Sequence, residues 1–365
     1  TQKNIEEVKS EIDFFIKHEV KIVKFVDRTF NASQKFSQVI WSYLSEKNTN
    51  TKFHFEIYPS FLNEDAFEIL QQVKTHLFQF EIGIQTIHKR TLTEIKRFGD
   101  WNKIKPKIER LSKMNIHIHL DQIVGLPFED YQKIKESFNE IYSLKSDHYQ
   151  LGFLKVLPGT EMAEKAREYN LIFNSNPPYQ IFSNKWLNFS EILLLQKIAK
   201  LVEGIYNSHK FERTIKTLEN FFENPFDFWE ELAIFYKKND FSFHSKWEVT
   251  AKNLQKFADE KLIKQTSESL RWDWHLIANA HYYPEFINDE NLIKIKRQNY
   301  LWIKEIFATK DFAKYKIKPK DLKKAIFYQN EKEEFLTFSL KKNNKRLIFQ
   351  IDTKKNQIKE LQNIL

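Results

Sequence analysis

Asp27, Glu56, Gln85 and Asp121 each stand at or near the point where an apolar run gives way to a turn. The segments are VKFVDRTFN (23–31), FEIYPSF (55–61), EIGIQT (81–86) and LDQIVGLPFED (120–130). Such polar groups could be partnered by a bound polar ligand or by water. Taken singly, each has a plainer account. Asp27 could cap a helix, Glu56 could join a buried ion pair, Gly83 could allow close packing, and Pro158-Gly159-Thr160 in LKVLPGTEM (154–162) is an ordinary turn. Recurrence at successive strand ends is what suggests a site. His117 and His119 invite a different chemistry, since His-x-His on one strand face, with Asp121, could hold a metal for hydrolysis. Position argues against it: six residues separate His119 from Gly125, roughly 20 Å of strand, and ligands of such folds gather at the C-terminal strand ends.

The elements that must carry these residues follow from periodicity. Ile5, Val8, Ile12, Phe15 and Ile16 make a helical stripe over 4–17, and KIVKFVD (21–27) reads as a short strand. Ser33 can cap a helix reaching Leu44. KFHFEIY (52–58), FQFEIGIQ (78–85) and IHIHLD (116–121) alternate as strands, and QLGFLKV (150–156) closes the series. Helices are expected near 64–74, 88–97, 102–113 and 130–143. Strand–helix alternation with short connections predicts a parallel sheet with right-handed crossovers, open or rolled into a barrel. The series opens on a helix, so one strand and its loop are expected upstream of Thr1.

The strand faces differ. Phe53, Phe55 and Ile57 oppose His54, Glu56 and Tyr58; Phe78, Phe80, Ile82 and Ile84 oppose Gln79, Glu81, Gly83 and Gln85; Ile116, Ile118 and Leu120 oppose His117, His119 and Asp121. Parallel sheets are normally apolar on both faces. A polar face therefore predicts a curved sheet around a polar cavity, where each unpartnered group would cost roughly 1–3 kcal/mol.

The totals bound the rest. The 365 residues suggest two or three domains, and 41% apolar content is enough for a core. Cysteine is absent, which excludes disulfides and thiolate metal ligands within these residues. With 58 Lys and Arg against 49 Asp and Glu, the net charge is +9. The charges are spread without a dense basic block, which disfavours nucleic acid as a partner. There is no apolar run of about 18 residues and no signal-peptide pattern, so a cytoplasmic protein without a membrane partner is expected. Residues 161–185 read as irregular, 190–264 as mostly helical, and 335–340 with 346–352 as a hairpin around KKNNK.

The blocks VKFVDRTFN, FHFEIYPSFL, FQFEIGIQT, HLDQIVGLPFEDY, QLGFLKVLPGTEM and NPPYQIFSNKWL, in that order, resemble the radical S-adenosylmethionine (radical SAM) superfamily. More narrowly, they resemble cobalamin-domain radical SAM proteins whose C-terminal domain has no assigned function. The likeness covers most of 1–230. It implies α/β architecture: a partial (β/α)6, TIM-like barrel lacking its first strand (1–165, strands two to six), a helical C-terminal domain (166–285) and a helix with a β-hairpin (286–365). It further implies S-adenosylmethionine (SAM) as cofactor, a 4Fe–4S cluster on cysteines spaced C-x3-C-x2-C, cobalamin in the parent protein, an electron donor such as a flavodoxin or ferredoxin, and a small-molecule substrate. The chain lacks the cysteines, the first strand and the cobalamin domain, so a C-terminal fragment is expected, its cysteine loop ending shortly before Thr1.

Carried over residue by residue, the resemblance assigns cofactor binding. Asp27 and Glu56 would face SAM, Asp27 at the amino group. Gln85 would bond ribose or carboxylate, Arg97 would pair with the methionyl carboxylate, Asp121 would hold ribose hydroxyls, and Gly125 would let the backbone approach adenine. Lys155 would lie on the substrate side. The parent reaction would be reductive SAM cleavage that starts radical chemistry, with methyl transfer one outcome. The alternatives are an inactive binding module without the cluster, an RNA-modifying radical SAM enzyme, or a TIM-barrel metal hydrolase.

Overall fold

The structure, a computed structural model, describes residues 3–277, 283–288, 290–308, 315–323, 325–329, 336–342, 345–352 and 357–360. Where residues pack divides the chain into two units, 1–207 with 224–234, and 208–223 with 235–365.

The first unit runs α1 (Ile5–Lys17), β1 (Ile22–Lys24), α2 (Gln34–Ser45), β2 (Lys52–Glu56), α3 (Glu64–Gln71), β3 (Phe78–Gln85), α4 (Lys89–Glu94), α5 (Trp101–Leu111), β4 (His117–Val124), α6 (Tyr131–Tyr142) and β5 (His148–Phe153). The five strands form one parallel sheet in the order β1-β2-β3-β4-β5. This is the expected α/β alternation. Side-chain caps set several helix starts: Asn4 accepts from Glu6 N, Asn63 from Ala66 N, Asp100 from Asn102 N and Asp130 from Lys133 N. Ser33 occupies the N-cap position of α2 as expected, but its side chain makes no cap bond.

The apolar strand face is buried: Phe53, Phe55, Phe78, Phe80, Ile82, Ile118 and Leu120 are all sealed from water. Trp41 of α2 packs on Phe80 with ring centroids 5.4 Å apart. β4 continues past the expected Asp121 to Val124. Gln122 makes that extension tolerable on the helix-facing side. It is fully buried, its amide donates to Ile134 O at 3.2 Å, and the Tyr149 hydroxyl donates to its Oε1.

Residues expected to be irregular contain α7 (Glu161–Glu164) and a two-stranded antiparallel ribbon, β6 (Ile172–Phe173) and β7 (Ile181–Ser183). Helix α8 (Phe189–Leu201) follows, opened by a capping box of Asn188 and Glu191.

The remaining helices are α9 (Glu212–Glu219), α10 (Pro225–Lys238), α11 (Trp247–Glu260), α12 (Thr266–Ile277), α13 (Glu290–Phe307) and α14 (Pro319–Lys323). In the second unit, buried Asp273 of α12 caps α9, accepting from Thr214 N at 2.9 Å, Thr214 Oγ1 at 2.6 Å and Arg213 N at 3.3 Å. Strands β8 (Ile326–Gln329), β9 (Leu336–Lys342), β10 (Lys345–Asp352) and β11 (Gln357–Glu360) form an antiparallel sheet, ordered β11-β10-β9-β8. β9 and β10 are the expected hairpin, with Lys342 opposite Lys345; its residues 335, 343 and 344 lie outside the described residues. Among the described residues, no helix is long and apolar enough to cross a membrane.

Candidate functional site

The register of the sheet aligns its polar face in rows. Glu56 lies beside Glu81, Glu81 beside His119, and His119 beside His148. One pleat toward the C-terminal strand ends, Gly83 lies beside Asp121, and Asp121 beside Gln150.

Gly83 is the pivot. A Cβ there would stand 2.3 Å from Gln85 Nε2 and 3.1 Å from Arg97 Nη1. The missing side chain is the space that both occupy. Arg97 Nη1 donates to the Gly83 carbonyl at 2.5 Å. The loop carrying Arg97 is held by Tyr58, whose hydroxyl donates to Phe98 O, and by Arg97 N bonding Leu92 O at 2.8 Å. Tyr58 is itself fixed by Asn31, through Tyr58 N to Asn31 Oδ1 and Asn31 Nδ2 to Tyr58 O, both 2.9 Å.

Charge completes the grouping. Burial pushes the Arg97 guanidinium below its ordinary value, while Tyr58, Asp121 and Glu56 each pull it back up. A half-buried Arg beside two carboxylates can take a carboxylate with its fork and leave the acids for a cation. β3 bulges between Gly83 and Gln85, and Gln85 sits at φ 68° with its Oε1 buried and unbonded among the described residues. That orphaned acceptor fits a ligand donor.

One row deeper, His54 Nε2 lies 3.1 Å from Glu81 Oε2, and this bond, helped by His119, holds the Glu81 carboxyl below its usual range against the effect of burial. His119 Nε2 approaches Asp121 Oδ1 to 2.9 Å, yet the pair is not aligned as a hydrogen bond, and both atoms stay buried without one. Among the described residues, no group of three or more His, Cys, Asp or Glu side chains could hold a metal ion. The metal reading of His117, His119 and Asp121 therefore has no ligand set there.

Gln85 and Arg97 thus meet at Gly83, with Asp121 beside it in register and Glu56 one pleat below, next to Glu81. The other three expected residues stand elsewhere. Asp27 is exposed on the loop after β1, at a cavity of about 550 Å³ that Lys3, Glu11 and Lys24 also line. Gly125, at φ 93°, is packed by Ile181, whose Cγ2 would meet a Cβ there at 3.0 Å, and its carbonyl accepts from Asn184 Nδ2 at 3.0 Å. Lys155 is exposed, its backbone bridged to Gln180. Tyr58, His54 and Glu81 had no expected role, although alternation alone places all three on the polar face.

The model of the radical SAM superfamily matches residues 1–141, and the family described as "Protein of unknown function (DUF4080)" matches residues 167–358. The chain belongs to the DUF4080 family, and its first 141 residues match the radical SAM superfamily model. Over 122 residues the chain is 29% identical to Uncharacterized protein YtqA of Bacillus subtilis (strain 168), covering 33% of this chain and 38% of that protein. Over 128 residues it is 27% identical to Heme chaperone HemW of the same organism, covering 35% and 33%. The matched stretch thus spans between a third and two-fifths of these curated relatives. Among solved structures, it is similar to the radical S-adenosylmethionine methyltransferase TsrM from Kitasatospora setae (TM-score 0.43, 13% identity, covering 51% of this chain and 38% of that one). It is also similar to the cobalamin-dependent S-adenosylmethionine radical enzyme OxsB (TM-score 0.41, 13% identity, covering 75% and 49%).

Proposed function

We propose that the first unit of this chain is the SAM-binding part of a radical SAM enzyme. The observation that carries this reading is the placement of Arg97 and Gln85 against Gly83, with Asp121 beside Gly83 in register and the charge of Glu56 acting on Arg97. SAM offers a carboxylate, an ammonium group, a sulfonium and a ribose diol in one small ligand. Arg97 would hold the carboxylate, Glu56 the ammonium, Asp121 the ribose hydroxyls, and Gln85 would donate or accept alongside them. The orphaned Gln85 Oε1 supports the fit, since a ligand donor removes the cost of leaving it unbonded. Asp27 would reach the same ligand from the loop after β1, Gly125 would pass near the adenine, and Lys155 would face the substrate.

When bound, SAM supplies a cleavable carbon–sulfonium bond as a radical source. The protein's own residues bind and orient it. A 4Fe–4S cluster does not fit these 365 residues, which contain no cysteine to ligate it. For the whole protein we propose reductive SAM cleavage with a cobalamin-dependent parent, methyl transfer to an unreactive carbon of a small molecule, a flavodoxin or ferredoxin as electron donor, and a cytoplasmic location.

Calorimetric titration of SAM into the chain tests the binding. Saturable binding that R97M and D121N each weaken by about tenfold or more is expected. Equal affinity in both variants would remove the reading. For the whole protein, anaerobic incubation with SAM and reductant should release 5′-deoxyadenosine.

A further inference from the structure

We propose that Glu129 is a positioning residue for Gln85: its carboxyl holds Thr86, and through Thr86 it fixes the left-handed turn that lays the Gln85 amide across Gly83. The inference rests on the SAM-binding reading and adds to it a residue outside the ligand's reach.

Glu129 lies in the LPFED turn after β4 and is wholly buried. A carboxyl is rarely taken out of water without partners. Here one partner is at hand. Thr86 Oγ1 donates to Glu129 Oε1, while Oε2 has no hydrogen bond among the described residues. The same Thr86 oxygen accepts from His88 N at 3.0 Å. The hydroxyl is thus used in both directions, which fixes its orientation.

Thr86 is the residue after Gln85. Its N–H closes back on Ile84 O at 2.9 Å, and Gln85 between them sits at φ 68°. A non-glycine residue held there costs on the order of 1 kcal/mol or more and persists only where its surroundings dictate it. Two further ties join the segments that follow β3 and β4. Thr91 Oγ1 donates to Pro127 O at 3.0 Å, and His88 Nε2 meets Lys133 O at 2.9 Å. Both lie farther along the chain than Thr86. The Glu129–Thr86 bond is the tie adjacent to the strained residue.

Burial pushes the Glu129 carboxyl up from its ordinary value, against the bond from Thr86 and the charges of His88 and Lys133. Glutamine keeps the acceptor oxygen that Thr86 bonds and is the conservative replacement.

A double-mutant cycle tests the inference. SAM affinity is measured by calorimetry for E129A, Q85A, E129A/Q85A and E129Q, with thermal melting of each. The Gln85 side-chain amide signals are followed by NMR without SAM. E129A and Q85A should each weaken SAM by about tenfold, and the double variant no further, because Glu129 acts through Gln85. E129Q should keep the wild-type affinity. The Gln85 amide signals should move in E129A and stay in place in E129Q. Losses that simply add, or Gln85 signals unmoved in a folded E129A, would overturn the inference. If E129A does not fold, T86V removes the same bond with little change of shape and is read in the same way. If the wild type itself does not bind SAM, the binding reading fails, and the Gln85 signals still decide whether Glu129 positions that amide.

Discussion

Arg97 reaches the sheet through the space that Gly83 leaves: its Nη1 and Nη2 stand 3.1 and 3.4 Å from where a Gly83 side chain would begin. Asp121 lies next to Gly83 in register, so its charge acts on the guanidinium beside a gap that no other residue type would leave open.

Gly83→Ala should therefore separate binding from stability. All the atoms that would clash are tips of flexible side chains, so the fold should lose less than about 1 kcal/mol. Gln85 and Arg97 must both move, and SAM affinity should fall by about tenfold or more. Calorimetry and thermal melting on the same variant check this. A large drop in melting temperature with intact affinity would contradict it.

R97K should bind SAM about tenfold more weakly than the wild type, since a lysine offers a point charge where the site offers room for a planar fork. R97M should lose more. Unchanged affinity in R97K would mean that Arg97 supplies charge alone.

On the other face, Q122L should destabilise the first unit by roughly 1–3 kcal/mol by stranding the buried Tyr149 hydroxyl. Adding Y149F should recover most of that loss, because two apolar groups then replace two polar ones. Urea denaturation of the single and double variants measures it. A double variant as unstable as the sum of the singles would refute the pairing.

The second unit carries a pH signature. Burial pushes the Asp273 carboxyl from its usual 3.8 up to about 6, against the bonds from Thr214 and Arg213. The folded-state value lies above the unfolded one. Its stabilising contribution is therefore complete below about pH 4 and is lost as pH rises through about 6. Between those limits the wild type should lose on the order of 2–3 kcal/mol relative to D273N, which cannot ionise. Urea denaturation of both chains at either end of that range tests it; parallel pH profiles would rule it out.

Much of the first unit was legible in its letters because strand pairing has a period of two. FQFEIGIQ displays both faces of β3 without reference to any other segment, and the polar face that gathers Glu56, Gly83 and Asp121 follows from the same count. What alternation cannot carry is the path of a loop. Arg97 lies fourteen residues from Gly83, and only the Tyr58–Phe98 bond and the turn onto Leu92 bring it back. Gln122 was also opaque, since its partner Tyr149 sits on the next strand. Glu129, a carboxylate followed by Asp130 after a turn, reads as a surface residue and is sealed. β6 and β7 are too short, at two and three residues, for any periodic signal.

The bulge in β3 has a consequence for how this chain can change. Up to Gly83 the strand obeys parity: inserting one residue would swap Phe78, Phe80 and Ile82 with Gln79, Glu81 and Gly83, and the core face and the polar face would exchange places together. Tolerated length changes there come in twos. Past the bulge, Gln85 pairs with Gln122, out of step with the residues before it. That last position is released from the odd–even rule, and its side chain can be re-aimed toward a new ligand without disturbing the sheet behind it.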